Sequence, residues 1–247
     1  MVRTSWDLGA DGERTGVLVV TLDRPERRNA VDHATLLALA DAQVVSAEAG
    51  VLVLTSEPPA FCAGADLTGV EEGEFVRLVG EVLRGFTALP IPVVAAIEGA
   101  ALGLGTQLAM ACDLRVATPA SRFGIPAARL GLVVDHWTVE RLAREIGWPI
   151  ARAMLIGAET YDAVALHAVG AVHRLGDLAD ALGWARELAA LAPLTIAAHK
   201  LALERSAPEP GPDEAVAAAR LAAWRSADAI EGRQAFLAKR PPKFTGT

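Results

Sequence analysis

"PVVAAIEGAALGLGTQLAMACDLRVAT" (92–118) decides the fold. Its first residues, 92–99, form an apolar run that ends in Glu98 and Gly99, and they read as a buried strand. "LGTQLAMAC" (104–112) is a short helix, and "DLRVAT" (113–118) is the next strand. Strand, helix and strand in that order mean parallel strands with a right-handed crossover. The runs are continuous rather than alternating, which fits a sheet covered on both faces.

The pattern extends upstream. "VLVVTL" (17–22), behind Gly16, and "VLVLTS" (51–56), closed by Glu57, Pro58 and Pro59, read as two more buried strands. Between them "RPERRNAVD" (24–32) is a basic turn, and Asp32 caps a helix that runs to about Ser46. "GEFVRLVGEVLRGFTAL" (73–89) has helical spacing and stops before Pro90. After Ser121 successive helices take over, and a proline-rich joint at 207–215 precedes two last ones. The expected architecture is α/β: a parallel-sheet core over 1–190 and a helical region over 191–247.

At 247 residues, 52% of them apolar, the chain suits one α/β domain with an appendage and a large core. A net charge of −7 argues against a nucleic-acid binder, which needs a basic field. Cys62 and Cys112 have no metal-ligand spacing, so no metal is expected, and a reduced cytoplasmic setting fits. The first 16 residues carry no apolar signal segment. The longest apolar run, 91–101, is broken by Pro92, Glu98 and Gly99, whereas a membrane span needs roughly 20 uninterrupted residues.

Two glycine-bearing loops follow strand ends, "FCAGADL" (61–67) and "GAALGLGTQ" (99–107). Ligands of open α/β sheets bind there. Glycine lets a main-chain N–H approach a ligand, and a loop that opens a helix places N–H groups at a positive terminus. "GLGTQL" lacks the third glycine of a dinucleotide fingerprint, and no GK[ST] follows it.

"RPERRNA" (24–30), "AFCAGADL" (60–67), "PVVAAIEGAALGLG" (92–105), "LAMACDLRVA" (108–117), "FGIPAARLGL" (123–132) and "EGRQAFLAKRPPKF" (231–244) together resemble the crotonase superfamily, the enoyl-CoA hydratases and isomerases. The resemblance covers nearly the whole chain. It implies an acyl-CoA thioester as ligand or substrate, no other cofactor, and homotrimers or hexamers. It places the oxyanion-hole N–H groups at Ala65 and at Leu104, where many relatives have glycine. CoA would then meet Arg24, Arg28, Ala63, Asp66, Leu67, Thr68, Phe236 and Lys239. The acyl pocket would be lined by Gln107, Ala127, Leu132, Val134 and Trp137.

Hydratases of the family use two glutamates, and the matching positions are Gln107 and Ala127. An amide and a methyl group exchange no protons near neutral pH. General acid–base groups contribute about 10²–10⁴-fold each, so efficient hydration by the usual route is not expected. The reading is an acyl-CoA binder or carrier, resembling a branch that lacks both glutamates. The alternative is an enoyl-CoA isomerase with Asp135, in "GLVVDHW", as the base. An Asp at that position also suits the cap of a helix that starts near Thr138. His136 and Trp137 read as packing, His136 having no acid partner in the sequence.

Overall fold

The computed structural model describes residues 1–68, 73–206, 211 and 213–247. The joint expected at 207–215 falls largely outside them. In chain order the elements are β1 (Val2–Leu8), β2 (Arg14–Leu22), α1 (His33–Val45), β3 (Val51–Ser56), α2 (Glu74–Ala88), β4 (Val93–Ile97), β5 (Ala100–Leu102), α3 (Leu104–Ala111), β6 (Leu114–Ala117) and β7 (Arg122–Gly124). They continue with α4 (His136–Ile146), α5 (Trp148–Leu155), β8 (Thr160–Asp162), α6 (Ala163–Ala168), β9 (Arg174–Leu175), α7 (Leu178–Ala189), α8 (Pro193–Ser206), α9 (Glu214–Arg225) and α10 (Ala227–Leu237).

The main sheet has the order β1-β2-β3-β4-β6-β9. β2, β3, β4 and β6 run parallel, as expected, and β9 joins them in the same direction. β1 is antiparallel to β2, pairing Val2 with Leu22 and Trp6 with Leu18. The runs at 17–22, 51–56, 92–99 and 113–118 all prove to be strands of this sheet. Five of the six β3 positions and all of β4 are buried, so both faces are covered. Val17, Val51, Val53, Val94, Ala96 and Val116 pack against Ala181 and Ala185 of α7, with Leu178, Leu182 and Leu188 at the edge. Burying each of the valines contributes about 1.5–3 kcal/mol. Asp177 starts α7 by accepting from the Ala179 and Asp180 N–H groups, while Asp180 returns a bond to the Asp177 N–H.

The chain divides into two compact units: Met1–Phe123 with Tyr161–Pro208, and Gly124–Thr160 with Glu209–Thr247. The first holds the sheet, α1–α3 and α6–α8; the second holds α4, α5, α9 and α10. No helix among the described residues is long and apolar enough to cross a membrane.

The first unit encloses charged side chains. Arg115 of β6 is 1% exposed. Its guanidinium donates to the carbonyls of Ala109 (3.1 Å), Cys112 (2.8 Å) and Ala171. Two of these acceptors are at the C-terminal end of α3, where the helix dipole favours a cation. Lys200 of α8 is similarly enclosed, donating to Asp113 Oδ2 (2.7 Å) and to the Ile91 and Phe86 carbonyls (3.0 and 3.2 Å).

His173 Nδ1 accepts the Arg115 backbone N–H at 3.1 Å, which requires an unprotonated nitrogen. Burial, then the charge of Arg115, push the imidazole down to about 4. A ring that titrates near 6.5 when unfolded binds fewer protons in the folded chain between the two values. Stability is therefore complete above about pH 6.5 and falls as the pH drops toward 4. With solvent screening the loss is about 2 kcal/mol. Urea unfolding at pH 7.5 and at pH 4.5 should show this fall, and His173→Gln, which has an uncharged acceptor, should reduce it.

Candidate functional site

The site starts from "RPERRNA". Arg28 and Asn29 both take left-handed backbone, φ 51° and 55°. This turns the buried Asn29 side chain inward. Its amide donates to the Glu57 and Ala60 carbonyls (2.6 and 2.7 Å), and its oxygen accepts the Arg24 N–H (2.8 Å). Asn29 thus ties the turn to the loop beyond β3. The loop is laid alongside it: Ala63 N–H donates to Arg28 O (3.0 Å), Val31 N–H to Gly64 O (2.9 Å) and Asp66 N–H to Val31 O (2.8 Å).

The second glycine loop packs on the first, main chain to main chain. Cys62 N–H donates to Ala100 O, and Leu102 N–H to Cys62 O, both at 2.9 Å. Gly103 sits at φ 55°, where an added Cβ would meet Gly64 Cα at 3.6 Å. At Gly105 a Cβ would stand 2.2 Å from the Cys62 carbonyl oxygen, so only glycine fits. Thr106 Oγ1 donates to Ala101 O at 2.6 Å and closes the turn into α3.

The N–H groups of Ala65 and Leu104 have no hydrogen-bond partner among the described residues, whereas Ala63, Asp66 and Leu102 beside them are bonded. Leu104 is the first residue of α3, so its N–H adds to the helix's positive end. Its isobutyl group is 4% exposed and packs into the core. The pair therefore suits an oxygen that gains negative charge. Gln107, half-buried in the first turn of α3, carries an amide and moves no proton. Cys62 supplies no thiolate, because burial pushes its thiol up to about 12.

Arg24, expected to meet a ligand, is engaged within the protein. It reaches Asp66 Oδ2 (3.2 Å), Asp32 Oδ2 (3.1 Å) and Ala30 O (2.6 Å). Burial pushes the Asp66 carboxyl up, but bonds from Thr68 and Arg24 outweigh it and hold the group below its usual range. Arg28, Ala63 and Thr68 are exposed around this core, and Leu67 is half-buried.

The remaining expected residues belong to the second unit. Ala127 lies in a 3-10 turn (Pro126–Leu130), and its carbonyl accepts Leu132 N–H at 3.0 Å. Leu132 and Val134 are half-buried, and Trp137 is 4% exposed. Asp135 caps α4: its Oδ1 accepts Thr138 N–H at 3.0 Å. His136 does have an acid neighbour, Glu140 at 3.7 Å one turn on. Phe236 and Lys239 are exposed at the end of α10. Among the described residues no three His, Cys, Asp or Glu side chains are placed to hold a metal ion. Sequence reasoning missed Asn29 and Arg115. A charge inside an apolar strand run was the available signal for Arg115.

The sequence profile of enoyl-CoA hydratases/isomerases matches residues 12–247. A probable enoyl-CoA hydratase of Mycobacterium tuberculosis is 43% identical over 241 residues, covering 93% of this chain and 96% of that protein. The human mitochondrial methylglutaconyl-CoA hydratase is 31% identical over 257 residues, covering 95% of this chain and 75% of that protein. A crystal structure of an enoyl-CoA hydratase from Mycobacterium avium subsp. paratuberculosis aligns with a TM-score of 0.84 at 25% identity, covering 98% of each chain. A methylmalonyl-CoA decarboxylase shares the fold, with a TM-score of 0.89 at 23% identity over 100% of this chain and 98% of that one.

The loop packing makes a graded prediction. Gly105→Ala places a Cβ 2.2 Å from a backbone oxygen that cannot move aside, and should cost about 3 kcal/mol or more. Gly103→Ala has space but meets the strain of φ 55° and ψ −116°, a backbone region that essentially only glycine adopts, roughly 1–3 kcal/mol. Urea midpoints of the two variants check this; equal losses would contradict the close approach.

Proposed function

The chain belongs to the enoyl-CoA hydratase/isomerase family, and we propose that it binds acyl-CoA thioesters with little or no hydration of them. The observation that carries this reading is the N–H groups of Ala65 and Leu104, without partners among the described residues and set in a glycine-fitted frame, with the amide of Gln107 one turn into α3. The thioester carbonyl oxygen accepts from both N–H groups, with the positive end of α3 behind Leu104. This polarises the carbonyl and favours an enolate-like charge, an effect worth roughly 10²–10³-fold. Adding water also needs one group to take a proton from water and another to give one to carbon. Gln107 and Ala127 do neither.

Asp135 is the candidate for an isomerase reading. Its Oδ1 accepts the Thr138 N–H as the α4 cap, which supports the binder instead. Because Arg24 is held by Asp66 and Asp32, the exposed Arg28 is a cation that this turn offers to CoA phosphates, with Lys239 a second one. Leu132, Val134 and Trp137 line the acyl pocket in this reading. The exposed Leu194 (85%) and Leu203 (72%) of α8 supply apolar contact for trimers or hexamers.

Crotonyl-CoA should be hydrated far more slowly than by a two-glutamate relative; turnover within tenfold would contradict the proposal. Gln107→Glu with Ala127→Glu together should raise the rate more than either change alone, because such groups act as a unit. Calorimetry on saturated acyl-CoAs should show affinity that rises with chain length. Each buried CH₂ contributes about 0.8 kcal/mol, so two carbons tighten binding roughly 15-fold until the pocket is full. Affinity flat with length, or turnover of an enoyl-CoA that Asp135→Asn abolishes, would favour the isomerase.

A further inference from the structure

α3 reads LGTQLAMA and carries no charged side chain. Its eight residues span about 12 Å. A helix carries roughly +0.5 elementary charge at its N-terminus and −0.5 at its C-terminus. In so short a helix the negative end takes back part of the field that the positive end lends to the Leu104 N–H. Seven of the eight residues are buried, so little water screens either end.

A basic side chain in the last turn would ordinarily answer the negative end, and α3 has none. The cation comes from β6 instead. Arg115 Nη1 donates to Ala109 O (3.1 Å), in the last turn, and to Cys112 O (2.8 Å), on the residue that caps the helix. The sheet fixes its place. Arg115 stands opposite Ala95 of β4, and its main chain exchanges two bonds with His173: its N–H donates to Nδ1 at 3.1 Å, and its O accepts the His173 N–H at 3.0 Å. Burial, then the charge of Arg115, keep His173 uncharged at neutral pH. Asp113, the nearest acid in sequence, is engaged by the Lys200 ammonium at 2.7 Å.

Satisfying those carbonyls needs only a neutral donor. Burying a charge to do it costs more. What the charge adds is field, and at 1% exposure that field is spent on the protein rather than on solvent.

We propose that Arg115 is a positioning residue that acts through α3: its buried charge cancels the negative end of the helix, so that the Leu104 N–H meets the thioester oxygen with the positive end uncompensated. This rests on the acyl-CoA reading above.

The test reads the carbonyl band of hexadecanoyl-CoA, labelled with carbon-13 at the carbonyl, by isotope-edited infrared difference spectroscopy at pH 8. It is applied to each variant that keeps a cooperative thermal transition. Removing the charge should cost roughly a quarter of the wild-type downshift, from Coulomb's law over the length of α3. Arg115→Gln keeps a donor without the charge, Arg115→Met keeps neither, and both should show this loss. Arg115→Lys keeps the charge and should hold the wild-type band. A second pair leaves Arg115 in place. Cys112→Asp adds a carboxylate at the C-terminal end of α3 and should bring a similar loss, whereas the isosteric Cys112→Asn should not. If the neutral variants at 115 do not fold, the pair at 112 decides. A wild-type band in Arg115→Gln, a loss in Arg115→Lys equal to that in Arg115→Met, or the same band in Cys112→Asp and Cys112→Asn would overturn the inference. If wild type itself fails to bind the ligand or to shift its band, the acyl-CoA reading fails and this inference with it. If wild type shifts the band and every charge-changing variant matches it, this inference alone fails.

Discussion

The approach of Gly105 to the Cys62 carbonyl is the contact on which the site depends. The 2.2 Å that would separate a Cβ from that oxygen is less than any side chain tolerates. It brings the start of α3 onto the loop beyond β3 with no side chain between them. Parallel-bridge bonds at Cys62 and Leu102 set the register of the two loops, and a Cβ added at Gly103 would meet Gly64 Cα. Only with both loops in that register are the N–H groups of Ala65 and Leu104 left unpaired in one region. The chemistry is backbone chemistry, which is why leucine is tolerated at 104: the side chain goes to the core and the N–H keeps its place.

The frame is held from behind by charges with several partners each. Arg115 fastens the C-terminal end of α3 by its carbonyls, and His173 takes the Arg115 backbone N–H. Arg24 joins the basic turn to Asp66, and Asn29 spans the turn and the loop. A buried charge is costly unless its hydrogen-bonding capacity is met. These groups therefore specify one arrangement of the loops more than they add to net stability.

Four strands were legible because their apolar runs are unbroken, and α1 because Asp32 stands where a cap should. β1 was not read. It is an edge strand with exposed residues at Arg3, Thr4 and Ser5, so it has neither an apolar run nor a clean alternation. β9, two residues long, is too short for a periodic signal. In the site, glycine spacing pointed to both loops. The left-handed Asn29, the pairing of Arg24 with Asp66 and the burial of Arg115 depend on residues distant in sequence, and no local pattern carries them. The His136–Glu140 contact was different, since its spacing of four residues was present to be read.

The central claim is that two main-chain N–H groups polarise a bound thioester carbonyl in a site that does not turn it over. Isotope-edited infrared difference spectroscopy of hexadecanoyl-CoA labelled with carbon-13 at the carbonyl reads that bond directly. The account predicts that the bound C=O band moves to lower frequency than in water and keeps its intensity on prolonged incubation. A bound ligand whose band stays at the solution frequency would contradict it.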